Sequence, residues 1–197
     1  MLSLPPITLR LRGWKLIDRV ALAFLLLCMV GGGSCQAGKA AQAQRGQTRA
    51  ALEDDIREVV LRFQMERWIR DLDQDEAKAK DPADKEAADR YNFKIFFVAT
   101  DGIDPSDDFI KRFQSIPRIV KKSSDAEVVQ ISPVVDRVTR QRGIIFSADG
   151  IRWLGRSHVK VAGGYHCDGL CGADYTFDVR LEKGTWSVKK AHMNWIS

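Results

Sequence analysis

The sequence predicts an α+β domain, an N-terminal helix packed on a curved antiparallel sheet. Three observations predict it. Between residues 51 and 72 apolar side chains recur every three or four positions, the period of a helix with a buried face. Between residues 158 and 197 they alternate with polar or small ones, the period of half-buried strands. The helical pattern comes first and the strand-like pieces follow, which is the order of α+β rather than of alternating βα units.

A chain of 197 residues with 45% hydrophobic and 29% charged residues has enough material for one cored domain and is short for two. The formal net charge of +5 points to an acidic partner until the charges are located. Arg10, Arg12, Lys15 and Arg19, against Asp18, place +3 in residues 1–34, leaving 27 basic and 25 acidic residues from Cys35 onward. No nucleic-acid partner is therefore expected.

Residues 1–34 read as a signal peptide. A basic leader precedes the eleven-residue apolar run from Val20 to Val30, followed by Gly31, Gly32, Gly33 and Ser34. Eleven helical residues rise only about 16 Å, short of the roughly 30 Å needed to span a bilayer core. Gly32 and Ser34 suit cleavage before Cys35. The segment resembles a bacterial lipoprotein leader, in which the cysteine after the cut is lipidated, with Gly32 in the place usually held by an apolar residue. Lipidation of Cys35 and an ordinary cut both stay open. Residues 35–50 are small and polar, a flexible tether, and the folded domain is expected over 51–197.

The first helix is expected to begin near Ala51, with Leu52, Ile56, Val59, Val60 and Phe63 on its buried face and Glu53, Asp54 and Asp55 in its first turn. A second stripe of Leu61, Met65, Trp68 and Leu72 suggests cover on more than one side. Residues 71–90 are strongly polar, broken at Asp81 and Pro82, and read as a solvated excursion. A strand follows over 93–99. Asp104, Pro105, Ser106, Asp107 and Asp108 start a short helix that buries Phe109, Ile110 and Phe113. The acidic run lacks the ligand spacing of a calcium loop. Strand-like pieces recur at 118–121, 127–131, 143–147 and 151–154. The last forty residues hold all three His and two of the four Cys, and read as three antiparallel strands, with turns at Asp168–Gly169 and at Lys183–Gly184.

The segments EVVLRFQ (58–64), DPSDDFIKRF (104–113), GGYHCDGLCGADYTF (163–177) and KGTWSVKKAHMNWIS (183–197) resemble a family of small exported bacterial proteins of unassigned function. The order of elements also resembles the cystatin-like, cone-shaped folds of the nuclear-transport-factor-2 type. That resemblance leaves function open, since such folds host isomerases, dehydratases, binding modules and oligomerisation domains alike.

Chemistry, if present, is expected around Gly163 to Gly172. Cys167 and Cys171 flank a three-residue loop in a chain read as exported, so a disulfide between them is expected. The rival reading is a zinc site from His166, Cys167 and Cys171, completed by His158 or His192. A catalytic reading places His192 or Asp174 as general acid or base beside Tyr175, Phe177, Trp186 and Val188. Trp195 and Ile196 read as core plugs rather than ligand contacts. No nucleophile elbow, zinc-protease helix, phosphate loop or dinucleotide fingerprint occurs, so no cofactor is expected.

The leading expectation is a non-catalytic binding or assembly module of the bacterial cell envelope, exported to the periplasmic side and tied to a membrane only through Cys35 if that residue is lipidated. Its partner would be an envelope protein or a small apolar ligand. The alternatives are a small enzyme of the nuclear-transport-factor-2 type acting on an apolar ligand, and a redox or zinc site at Cys167 and Cys171.

Overall fold

The structure, a computed structural model, describes residues 48–129 and 132–197. The leader, Cys35 and the tether up to residue 47 lie outside the described residues.

Helix α1 (Arg49–Lys78) starts two residues before the expected position. Thr48 caps it, its Oγ1 accepting from Ala51 N at 3.3 Å, so the tether stops short of residue 50. Glu53, Asp54 and Asp55 consequently fall in the second turn. There they serve as anchors: Glu53 accepts from Trp153 Nε1 at 3.2 Å and Asp55 from Arg112 at 2.8 Å. Ile56, Val60, Leu61, Gln64, Met65 and Leu72 form the buried face. The second stripe is covered too, with Trp68 stacked on Phe93 and edge-on to Tyr165 and Phe146.

The polar stretch 71–90 is mostly exposed to solvent and helical on either side of residues 79–81. Pro82 forces Asp81 into an extended conformation, and Asp81 then caps α2 (Pro82–Arg90) through Asp84 N at 2.9 Å. Leu72 and Ala88 are buried where α2 folds back on α1.

Strand β1 (Ile95–Thr100) is buried on both faces, as its unbroken apolar run requires. Helix α3 (Asp107–Lys111) follows, capped by Ser106, so Pro105 precedes the cap rather than sitting in the first turn. It carries the chain across to β2 (Ile119–Lys122), which lies parallel to β1. The two-residue strands β3 (Ala126–Glu127) and β4 (Val135–Asp136) form a separate ladder. The strand expected over 127–131 is thus only its first residue, joined to Ala126, and residues 130 and 131 are not described. Strand β5 (Gly143–Gly155) joins the two pieces expected at 143–147 and 151–154, bending at Gly150 with φ +53°. Strands β6 (His158–Asp168), β7 (Cys171–Glu182) and β8 (Thr185–Ile196) complete an antiparallel meander. Lys183 and Gly184, at φ +52° and +82°, make the tight turn before β8.

The sheet order is β2-β1-β5-β6-β7-β8, with open edges at β2 and β8. It is mixed rather than antiparallel, because β1 runs parallel to both of its neighbours. Periodicity shows which face a side chain takes but not the direction of the next strand. The sheet is neither closed nor strongly curled.

The main core lies between α1 and the sheet, built on Phe96, Ile144, Phe146, Val161, Phe177 and Val179. A smaller core on the far face gathers Ile95, Phe97, Ala126 and Val134. Asp136, fully buried, holds this flap: it accepts from Lys121 Nζ at 2.6 Å, Thr139 N at 2.8 Å and Thr139 Oγ1 at 2.9 Å. Among the described residues no helix is long and apolar enough to cross a membrane.

Candidate ligand-binding cavity

Where α1 and α2 pass over the end of the meander they leave a cavity of about 700 Å³, within the range of small-molecule sites. Each element supplies its share for a local reason. On α1, Gln64, Trp68, Leu72 and Asp75 follow steps of three or four residues, and Phe63 and Arg67 repeat that step one position away, so they share a side of the helix. Ala88 and Tyr91 come from α2 and its C-terminal cap. Phe146, Tyr165, Tyr175 and Phe177 stand on the helix-facing side of β5, β6 and β7. Leu170 and Cys171 close one end from the hairpin tip, and Ile196 and Ser197 lie at the end of β8.

Seven aromatic side chains take part in these walls. Five of them form a continuous set: Trp68 to Tyr165 at 5.0 Å, Tyr165 to Tyr175 at 6.4 Å, Tyr175 to Phe177 at 5.7 Å and Phe177 to Phe63 at 6.0 Å between ring centroids. Charged side chains line it as well: Arg67, Asp71, Asp75, Lys78 and Asp84. Trp68 Nε1 donates to Tyr91 O at 3.2 Å. Arg67 lies 6.0 Å from the Tyr175 ring centre and 3.5 Å from Asp71. Burial pushes the Tyr165 phenol above its ordinary pKa, with the neighbouring Tyr175 adding to the effect, so it stays neutral. Gln64, only 7% exposed, donates through Nε2 to Ser147 O at 2.9 Å, while no protein donor among the described residues reaches its Oε1.

The residues expected to carry chemistry lie elsewhere. Tyr175 and Phe177 do face the cavity, and Trp186 is buried on the same side of the sheet. Asp174 pairs across the ladder with Trp195, and Thr176 with His192, so both Asp174 and His192 stand on the opposite face. Asp174 accepts from Asn194 Nδ2 at 2.8 Å, and His192 is exposed. Trp195 and Ile196 are 54% and 62% exposed rather than core plugs: Trp195 pairs with Asp174 on the face away from the cavity, and Ile196 lines the cavity from the end of the edge strand β8.

Cys167 and Cys171 are at disulfide distance across the tip of the β6–β7 hairpin, with Cα atoms 5.3 Å apart. Thiolates bonded to each other are not zinc donors. His158 lies at the far end of β6, 2.8 Å from Asp178 Oδ2, and His166 pairs with Gly172. The predicted zinc set is therefore not assembled, and no group of three His, Cys, Asp or Glu among the described residues is placed to hold a metal. The acidic run at 101–108 is spent on structure: Asp101 accepts from Arg57 and Gly150 N, and Asp104 from Ser123 and Ser124.

Gln64, Arg67, Tyr91 and Tyr165 were not singled out by sequence. One signal existed. Val60, Gln64 and Trp68 step by four, so a carboxamide interrupts an otherwise apolar face of α1.

Compared with known proteins, the chain matches no protein-family model, no curated protein and no solved structure.

Proposed function

We propose that this chain is an exported binding module that takes an apolar small molecule into the cavity between the helical hairpin and the sheet. One observation carries the reading: a cavity of about 700 Å³ into whose walls seven aromatic side chains are set. Such sites bind through apolar burial and use a small number of polar groups to orient the ligand. The leader and tether read from the sequence support delivery outside the cytoplasm, with Cys35 as the point of lipid attachment if the cut is of the lipoprotein kind. The order of elements supports a likeness to the cone-shaped nuclear-transport-factor-2 type. Binding is favoured over catalysis because the two acid–base candidates, Asp174 and His192, stand on the other face of the sheet. Cys167 and Cys171 then act as a staple for the hairpin that closes one end of the cavity.

The test uses the full chain. Pyrene, an apolar fluorophore, is titrated into the wild type and into Ala88→Trp, whose indole would fill the cavity from α2. Saturable binding is expected in the wild type and loss of it in the variant. An intact mass of protein taken from its own envelope reads the leader, with a mature chain beginning at Cys35 expected. Absence of saturable pyrene binding refutes the cavity reading, and a mature protein that keeps residues 1–34 refutes export by cleavage.

A further inference from the structure

The charges of the domain are unevenly placed around the cavity. From Thr48 to Ser197 the chain has 25 basic and 25 acidic residues, so the domain as a whole attracts neither sign. Residues 71–90, which cover the cavity from the helical side, hold eight acidic residues against four basic ones. Three of those carboxylates, Asp71, Asp75 and Asp84, are in its lining. The two cations of the lining each stand beside a carboxylate, Arg67 at 3.5 Å from Asp71 and Lys78 at 4.0 Å from Asp75. An anion entering would have to displace one of these pairs and would still meet the third carboxylate. A cation meets the carboxylates together with the aromatic walls, whose ring faces carry partial negative charge. Arg67 already uses one such ring, its guanidinium lying 6.0 Å from the Tyr175 ring centre. Leu170 and Ile196, in the lining and well exposed, extend the apolar surface outward, so the ligand that fits is apolar in its body.

Resting on the binding reading above, we propose that the cavity selects cations among apolar ligands, molecules with a flat apolar body and an ammonium group. The body lies among Trp68, Tyr165, Tyr175 and Phe177, and the ammonium sits at the rim beside Asp75 and Asp84. Asp75 is 68% exposed and Asp84 is exposed too, so each carboxylate contributes little by itself. Two of them and a ring face together give a preference of roughly tenfold over a neutral ligand of the same shape.

Three probes share a pyrene body and differ in charge: 1-pyrenemethylamine, protonated at neutral pH, 1-pyrenemethanol and 1-pyreneacetate. Each is titrated by fluorescence into the full chain in about 0.15 M salt, where screening over roughly 8 Å confines the effect to charges near the ligand. The wild type is expected to bind the amine roughly tenfold more tightly than the alcohol, and the acetate most weakly. Asp75→Asn with Asp84→Asn should bring amine and alcohol to within about threefold and leave the alcohol's affinity unchanged. Asp73→Asn with Glu86→Gln removes the same charge from the same two helices outside the cavity lining, and should keep the full preference. Equal affinity of the wild type for amine and alcohol, or a preference for the acetate, overturns the charge selection and leaves the cavity reading standing. A preference undiminished in the Asp75 and Asp84 variant, or diminished as much in the Asp73 and Glu86 control, places the attraction elsewhere and overturns the proposal as well. If no probe binds, both readings fall together. The ranking of the three probes by the wild type needs no variant, so the proposal can be refuted even if a variant fails to fold.

Discussion

Gly164→Ala tests the packing that positions the cavity's inner wall. A Cβ built on Gly164 would lie 2.1 Å from Ala173 O and 3.1 Å from Ala173 C and Asp174 Cα, all backbone atoms of the neighbouring strand β7. Carbon and oxygen rest at roughly 3.3 Å, so β6 and β7 must separate locally by about 1 Å, and no rotamer change relieves the contact. Overpacking of this kind costs about 1–3 kcal/mol, and the rigid partner argues for the upper half. Against it stands a gain of about 0.5–1 kcal/mol from removing a glycine's freedom in the unfolded chain. The net expectation is a loss of about 2 kcal/mol, read from urea denaturation of the full chain. Gly155→Ala is the control, since nothing lies within 4 Å of its would-be Cβ, and it should be neutral or slightly stabilising. Because Tyr165 follows Gly164 directly, pyrene affinity should fall in the first variant and hold in the second. Equal stability of Gly164→Ala and wild type would refute the close approach of β6 to β7.

Two further outcomes are expected. The Cys167–Cys171 bond closes a ring of only five residues, for which chain entropy gives about 2 kcal/mol, so adding a reductant should lower unfolding stability by about that amount; no change on reduction would mean that the bond does not form in solution. Acid stability has a definite sign: the Lys121 ammonium first, then the Thr139 N–H, hold the Asp136 carboxyl far below its ordinary pKa, and His158 followed by Arg180 lower that of Asp178. A depressed carboxyl stabilises the fold fully above the unfolded pKa near 3.8, and that contribution is lost as pH falls from there toward the folded value. Stability should therefore drop on acidification below about pH 4, and Asp136→Asn should lower it at neutral pH while flattening the acid limb; an unchanged acid limb would refute the role given to Asp136.

The sequence by itself determined the elements that depend on neighbours along the chain. Helical period in α1, the strand period of β7, the left-handed turn at Lys183 and Gly184, and the hairpin that brings Cys167 to Cys171 are all local matters of φ, ψ and side-chain alternation. The α+β order of elements followed from the same patterns. Tertiary structure alone decided the rest. That β1 runs parallel to β5, with Ile95 paired to Gly143 forty-eight residues further on, cannot be read from alternation, which is the same in either direction. The polar stretch 71–90 became part of a site because Ala88 and Tyr91 were carried back over Trp68. Likewise the face on which His192 stands depended on the bulges in the β7–β8 ladder, whereas alternation alone sets Asp174 opposite Tyr175. Gln64 shows the division most plainly. Its place on the apolar face of α1 is a matter of helical spacing, but that its amide meets Ser147 O while its oxygen meets no donor among the described residues depends on a strand more than eighty residues away. Local physics sets which side chains share a face, and only the packing of distant segments decides which of them are left facing a cavity.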